Sequence, residues 1–120
     1  MLKLLFTALA CCMLIGCASH GPYMSFKSKS ELAQGQRYFN DGFYKRSMAL
    51  LLPLACDGNP EAQYAVGYMY YYGYGVSQDT EVGYFWICRS AEHHYIPAQK
   101  ALEMIGKEKD KEFKLRSRYR

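Results

Sequence analysis

The sequence predicts an all-α protein, a short solenoid of antiparallel helix pairs with about five helices. Three observations lead there. First, the chain repeats itself. Shifted by 36 residues, Ala55 falls on Ala91, Ala62 on Ala98, Gln63 on Gln99, Ala65 on Ala101, Val66 on Leu102, Met69 on Ile105 and Leu51 on Ile87. Shifted by 32, Leu32 falls on Tyr64, Ala33 on Ala65, Gly35 on Gly67 and Tyr38 on Tyr70. Second, small residues recur at fixed places (Ala33, Gly35, Ala65, Gly67), where helices approach closely, with larger residues beside them to fill the gaps. Third, helix-ending and helix-starting residues punctuate the repeat, as in Gly58-Asn59-Pro60. The two offsets differ by four, so the loop of the second pair is predicted to be about four residues longer. Asn40-Asp41-Gly42 stands against Tyr72-Gly73-Tyr74-Gly75-Val76-Ser77-Gln78.

Ahead of the repeat, Lys3 precedes an apolar run from Leu4 to Ile15. This has the form of a secretory signal peptide and is too short to span a bilayer comfortably. It ends in Leu14-Ile15-Gly16-Cys17. That string resembles a bacterial lipobox, which implies cleavage after Gly16 and a covalent lipid on Cys17. Buried acyl chains are worth about 0.8 kcal/mol per methylene, enough for stable anchoring. Ala18 at the next position implies the outer membrane, facing the periplasm, or the cell membrane in a Gram-positive host. Residues 1–16 are thus read as signal peptide. Residues 17–30, rich in Ser, Gly and Lys, are read as lipidated Cys17 and a flexible tether.

The helices are expected at about 31–40, 43–57, 60–72, 79–93 and 97–115. Asp41-Gly42 makes the first turn. Pro53 inside the second helix removes a backbone donor and is expected to kink or split it. Gly58 suits the left-handed position after that helix, Asn59 is a good N-cap and Pro60 a good first residue. Ser77 and Asp79 are the candidate caps of the fourth helix, and Pro97 opens the fifth. His94 stands where Gly58 would repeat, so that helix end is expected to be less relaxed.

The formal charge of +4 is uneven. Residues 107–120 hold seven basic and three acidic side chains and so carry all of it. Glu103/Lys107, Asp110/Lys114 and Glu112/Arg116 are spaced for helical pairing, so the last helix has reason to run on.

Residues 62–95 read AQYAVGYMYYYGYGVSQDTEVGYFWICRSAEHHY. Through Ala62, Gly67, Tyr70, Gly73, Gly75-Val76, Asp79, Trp86 and Ala91 this segment resembles a Sel1-like repeat, a relative of the tetratricopeptide repeat. It departs from the pattern at Gly83, where Ala is usual, and at His94, where Gly is usual. The resemblance implies a Sel1-like helical region over 31–107. Within it, 31–59 is a degenerate repeat, 60–95 a full one and 97–107 a capping helix, with 108–120 a basic extension. It also implies a concave face lined by the first helix of each pair, and function by binding proteins.

The chemistry-bearing residues form no recognisable active site, so no enzyme is expected and no catalytic residue is nominated. His93 and His94 are adjacent and point apart, and Cys56 and Cys88 lack ligand spacing, so no metal is expected. The glycine runs follow no strand and precede no Lys-Ser or Lys-Thr. Cys56 and Cys88 are the thiols left after signal cleavage. A disulfide within the chain, a disulfide between chains and the reduced state are all open to them. Tyr64, Tyr68, Tyr71, Tyr72 and Trp86 are the candidate partner contacts, because such side chains give rigid amphipathic area. The expected function is that of an envelope lipoprotein whose repeat binds a periplasmic protein as scaffold or accessory subunit. The alternatives are an immunity protein neutralising a periplasm-acting toxin and a binder of peptidoglycan or other glycan. No cofactor is expected beyond the lipid on Cys17, and no nucleic-acid partner. The basic tail offers contact with anionic lipid.

Overall fold

The computed structural model describes residues 26–118. The signal peptide, Cys17 with the tether as far as residue 25, and residues 119–120 lie outside the described residues. Five helices follow one another: α1 (Phe26–Asn40), α2 (Tyr44–Cys56), α3 (Pro60–Tyr72), α4 (Thr80–Glu92) and α5 (Ile96–Arg118). Among the described residues there is no strand. None of these helices is long and apolar enough to cross a membrane.

The helix ends follow local chemistry. Asn59 accepts a hydrogen bond from the Ala62 backbone N–H at 2.9 Å, with Pro60 opening α3 behind it. Asp79, rather than Ser77, caps α4, accepting from the N–H groups of Glu81 and Val82 at 3.1 and 3.0 Å. Helix α2 ends with Gly58 at φ +95°. There the Asn59 N–H donates to the Leu54 carbonyl and the Gly58 N–H to that of Ala55, both at 3.0 Å. Helix α4 repeats this closure with His94 at φ +60°, its N–H on Ala91 and that of Tyr95 on Ser90. A side chain is thus held in the left-handed region, the less relaxed end that His94 was expected to make.

Two expectations are corrected. Helix α1 begins at Phe26, so residues 26–30 are helical and not tether. The last helix breakers before it are Gly21 and Pro22, and extending an existing helix backwards through Lys and Ser is inexpensive. Pro53 does not split α2, which runs unbroken from Tyr44 to Cys56. Pro53 lies in the last turn and is exposed. The only carbonyl it deprives is that of Ala49, itself exposed and open to water. The last helix does run on beyond 107, to Arg118, and its Glu103–Lys107 pair forms at 2.6 Å.

Each helix packs on the next, and α1 also touches α3. The main core joins Met48, Leu51, Leu54 and Ala55 of α2, Ala62, Ala65, Val66 and Met69 of α3, and Trp86 of α4. Burying one such large side chain stabilises by about 1.5–3 kcal/mol. A second cluster, of Ile87, Ala98, Ala101 and Ile105, seats α5 on α4, with Tyr64 and Tyr71 against it. Ala98, Ala101 and Ile105 are buried as their counterparts Ala62, Ala65 and Met69 are, so α5 closes the repeat as a third first helix.

The small residues sit where the helices cross. A Cβ on Gly35 would lie 2.4 Å from the Leu51 side chain, and one on Gly67 2.8 Å from that of Ile87. Gly35 and Gly67 are related by the 32-residue offset, and Leu51 and Ile87 by the 36-residue offset. The crossing point is thus conserved between the two pairs although the loops differ in length.

Candidate binding surface

Helix α3 carries tyrosines at four-residue intervals, and these rings form a connected ridge. The Tyr64–Tyr68 centroids lie 6.3 Å apart and the Tyr68–Tyr72 centroids 4.6 Å apart. The ridge continues past α3 at both ends. Tyr64 meets Tyr95, from the turn before α5, at 5.7 Å. Tyr72 stacks on Tyr74 at 5.9 Å, and Tyr74 stacks on Tyr44, the first residue of α2, at 4.8 Å. Phe39 of α1 completes it edge-on, 5.6 Å from Tyr68 and 5.7 Å from Tyr44.

The long loop builds this surface. Gly75 packs so closely on the start of α2 that a Cβ there would meet Tyr44 Cβ at 2.7 Å. Gln78 donates to the Tyr71 carbonyl at 3.0 Å, and the Asp79 N–H to that of Tyr70 at 2.9 Å. The four extra residues therefore fold back over α2 and deliver Tyr74 to Tyr44. Tyr72 and Tyr74 remain 49% and 38% exposed, while Tyr64, Tyr68 and Tyr95 are half-buried. Beside the ridge, Gln36 of α1 donates to the Glu61 carboxylate at 2.6 Å, tying α1 to the start of α3.

Burial pushes the phenols of Tyr64, Tyr68, Tyr72 and Tyr95 above their ordinary value of 10.0, and neighbouring groups add to it, for Tyr72 the Glu108 carboxylate first. All four therefore stay un-ionised around neutral pH, and each presents an apolar ring and a hydroxyl that can donate or accept.

The structure sorts the expected contacts. Tyr64, Tyr68 and Tyr72 come together on one face. Tyr71 touches Tyr72 at 5.1 Å, but it also packs on the Ile87 cluster, so it is as much a core residue as a surface one. Trp86 is corrected: at 8% exposure it belongs to the main core, because α4 turns it inward onto α2 and α3. Phe39, Tyr44, Tyr74 and Tyr95 were not among the candidate contacts. They come from four other segments, and only the register of the loops brings them to α3. Of the states open to Cys56 and Cys88, pairing with each other is not the one adopted, since Cys88 carries a free thiol on α4.

A concavity of about 310 Å³ lies between α4 and α5 and is lined by Tyr71, Thr80, Glu81, Tyr84, Glu108 and Lys109. The Lys109 ammonium sits 4.8 Å from the centre of the Tyr84 ring. A hydrogen bond with Cys88 raises the Tyr84 phenol above its ordinary value. Among the described residues, no group of three or more His, Cys, Asp or Glu side chains is placed to hold a metal ion.

No curated protein and no solved structure matches the chain. Residues 60–95, which run from the start of α3 to the turn after α4, match the family model of the Sel1 repeat.

Proposed function

We propose that this chain is an envelope lipoprotein, anchored through Cys17, whose aromatic ridge binds a partner protein. Sel1 repeats are helical modules of protein–protein binding. The observation that carries the reading is the ridge itself: Tyr68, Tyr72, Tyr74 and Tyr44 lie in unbroken ring contact, and Tyr72 and Tyr74 keep much of their area in water. Rings already held by their neighbours lose little freedom on binding, which is what makes tyrosine an effective anchor. The role is binding, not catalysis, with no cofactor beyond the lipid. The partner is an envelope or periplasmic protein, met at the periplasmic face of the outer membrane.

The test is a crosslinking pull-down from cell envelopes with wild type and a Tyr72→Ala/Tyr74→Ala variant. Tyr72 is the last residue of α3 and Tyr74 lies beyond it, so helicity by circular dichroism is expected to be unchanged. One protein captured by wild type and lost from the variant supports the reading; equal capture by both removes the ridge from it. Palmitate labelling lost in Cys17→Ala tests the anchor separately. The near-parallel rings of Tyr44, Tyr74 and Tyr72, at 16° and 25°, favour a second reading, stacking on a glycan. Retention of the purified protein on peptidoglycan, lost in the same double variant, would replace the first reading with this one.

A further inference from the structure

Helix α5 has a face that the repeat does not use. Its inner side, at Ala98, Ala101 and Ile105, is buried on α4. The opposite side carries Lys100, Lys107, Lys111 and Lys114, all exposed. Their spacings of seven, four and three residues place them on one line along the helix, within about 40° of a common direction at 100° per residue. From Lys100 to Lys114 the line rises about 21 Å at 1.5 Å per residue. Two large apolar side chains share this outer side, Ile96 at 57% and Met104 at 61% exposure. Glu103 is paired into the line, bonded to Lys107 at 2.6 Å.

We propose that this outer face of α5 docks on an anionic phospholipid bilayer. A straight row of lysines matches a flat, negatively charged surface, and each adds attraction within a Debye length of it. The exposed Ile96 and Met104 give the same face apolar groups that a bilayer interface accepts and that water does not favour. Lysine stems are long enough to lie along the interface with their ammonium groups among the headgroup phosphates. An acidic protein would satisfy the charges, but it gives no reason for the apolar pair to lie on the same line. The contact does not depend on the lipid anchor, which would only hold the face near its target.

Amine labelling tests this. The protein as processed by cells is presented to vesicles of phosphatidylcholine alone or of phosphatidylcholine with phosphatidylglycerol, and modification of each lysine is read by mass spectrometry. On the anionic vesicles, Lys100, Lys107, Lys111 and Lys114 are expected to label several-fold more slowly than on the neutral ones, while Lys45, on α2, is unchanged. Raised salt is expected to abolish the protection, as is Lys107→Glu/Lys111→Glu, read at Lys100 and Lys114. Equal labelling on both vesicles overturns the proposal. So does protection by a soluble acidic polypeptide where anionic vesicles give none. Recovery of the protein with neutral vesicles reports on the Cys17 anchor alone, so failure of the anchor and failure of this face are read apart.

Discussion

The two helix pairs solve one packing problem with different materials. In the first, α1 and α2 cross at Gly35 and Leu51, and Ser47 of α2 donates to the Gly35 carbonyl at 2.9 Å. In the second, α3 and α4 cross at Gly67 and Ile87, and the place of Ser47 is taken by Gly83, at the 36-residue offset. A Cβ on Gly83 would lie 2.5 Å from the Tyr71 nitrogen and 2.7 Å from its Cα. The first crossing is thus closed by a side-chain hydrogen bond, the second by backbone against backbone. Gly therefore stands at position 83, where the repeat pattern usually has Ala. The tighter crossing leaves no room for even a methyl group.

Substitutions can break this comparison in order of effect. Gly83→Ala is expected to destabilise most, by about 3 kcal/mol in urea unfolding, because the clash is with backbone and outweighs the better helix propensity of Ala. An unchanged midpoint would mean that α3 and α4 can separate freely. Gly35→Ala is expected to cost less, about 1–2 kcal/mol, since its Cβ meets the side chain of Leu51, at Cδ2 and Cγ, rather than backbone. If it proved the more damaging of the two, the contrast drawn between the pairs would be reversed. Ser47→Ala removes one buried hydrogen bond and leaves the Gly35 carbonyl without it, so a loss of about 1 kcal/mol is expected. The smallest effect belongs to the helix ends. His94→Gly is expected to raise stability by about 0.5–1 kcal/mol, with relief of the left-handed strain exceeding the added freedom of the unfolded chain. A lower melting temperature for this variant would show that the His94 side chain contributes something other than strain.

The ridge adds a pH dependence. The phenols of Tyr64, Tyr68, Tyr72 and Tyr95 have folded values above the unfolded one. Their stabilising contribution is therefore complete below about pH 10 and is lost as pH rises through the folded values. Ultraviolet titration is expected to show these tyrosines ionising later than in the unfolded chain, and alkaline unfolding to follow their ionisation.

Much was legible in the sequence because it is local. The bounds of α3 follow from Asn59, Pro60 and Gly73, residues whose backbone preferences and side-chain bonds act within a turn. The two offsets mark the crossing points at Gly35 and Gly67, because glycine at a helix contact leaves its mark in both copies. The early start of α1 and the continuity of α2 through Pro53 were less readable. Both depend on whether a neighbouring group is solvated, which a pattern of residue types does not report.

Most helix bounds, the repeat and the glycine crossings at Gly35 and Gly67 are written along the chain, since each rests on backbone conformation and on spacing along one helix. What lies inside and what lies outside depends on how the helices pack. Trp86 and Tyr72 are alike as large amphipathic residues, yet the first is in the core and the second is half in water. Tyr74 reaches Tyr44, 30 positions away in sequence, because the loop folds over the start of α2. Burial and ring contact are properties of how helices are set against one another, and no period along the chain encodes the angle at which they meet.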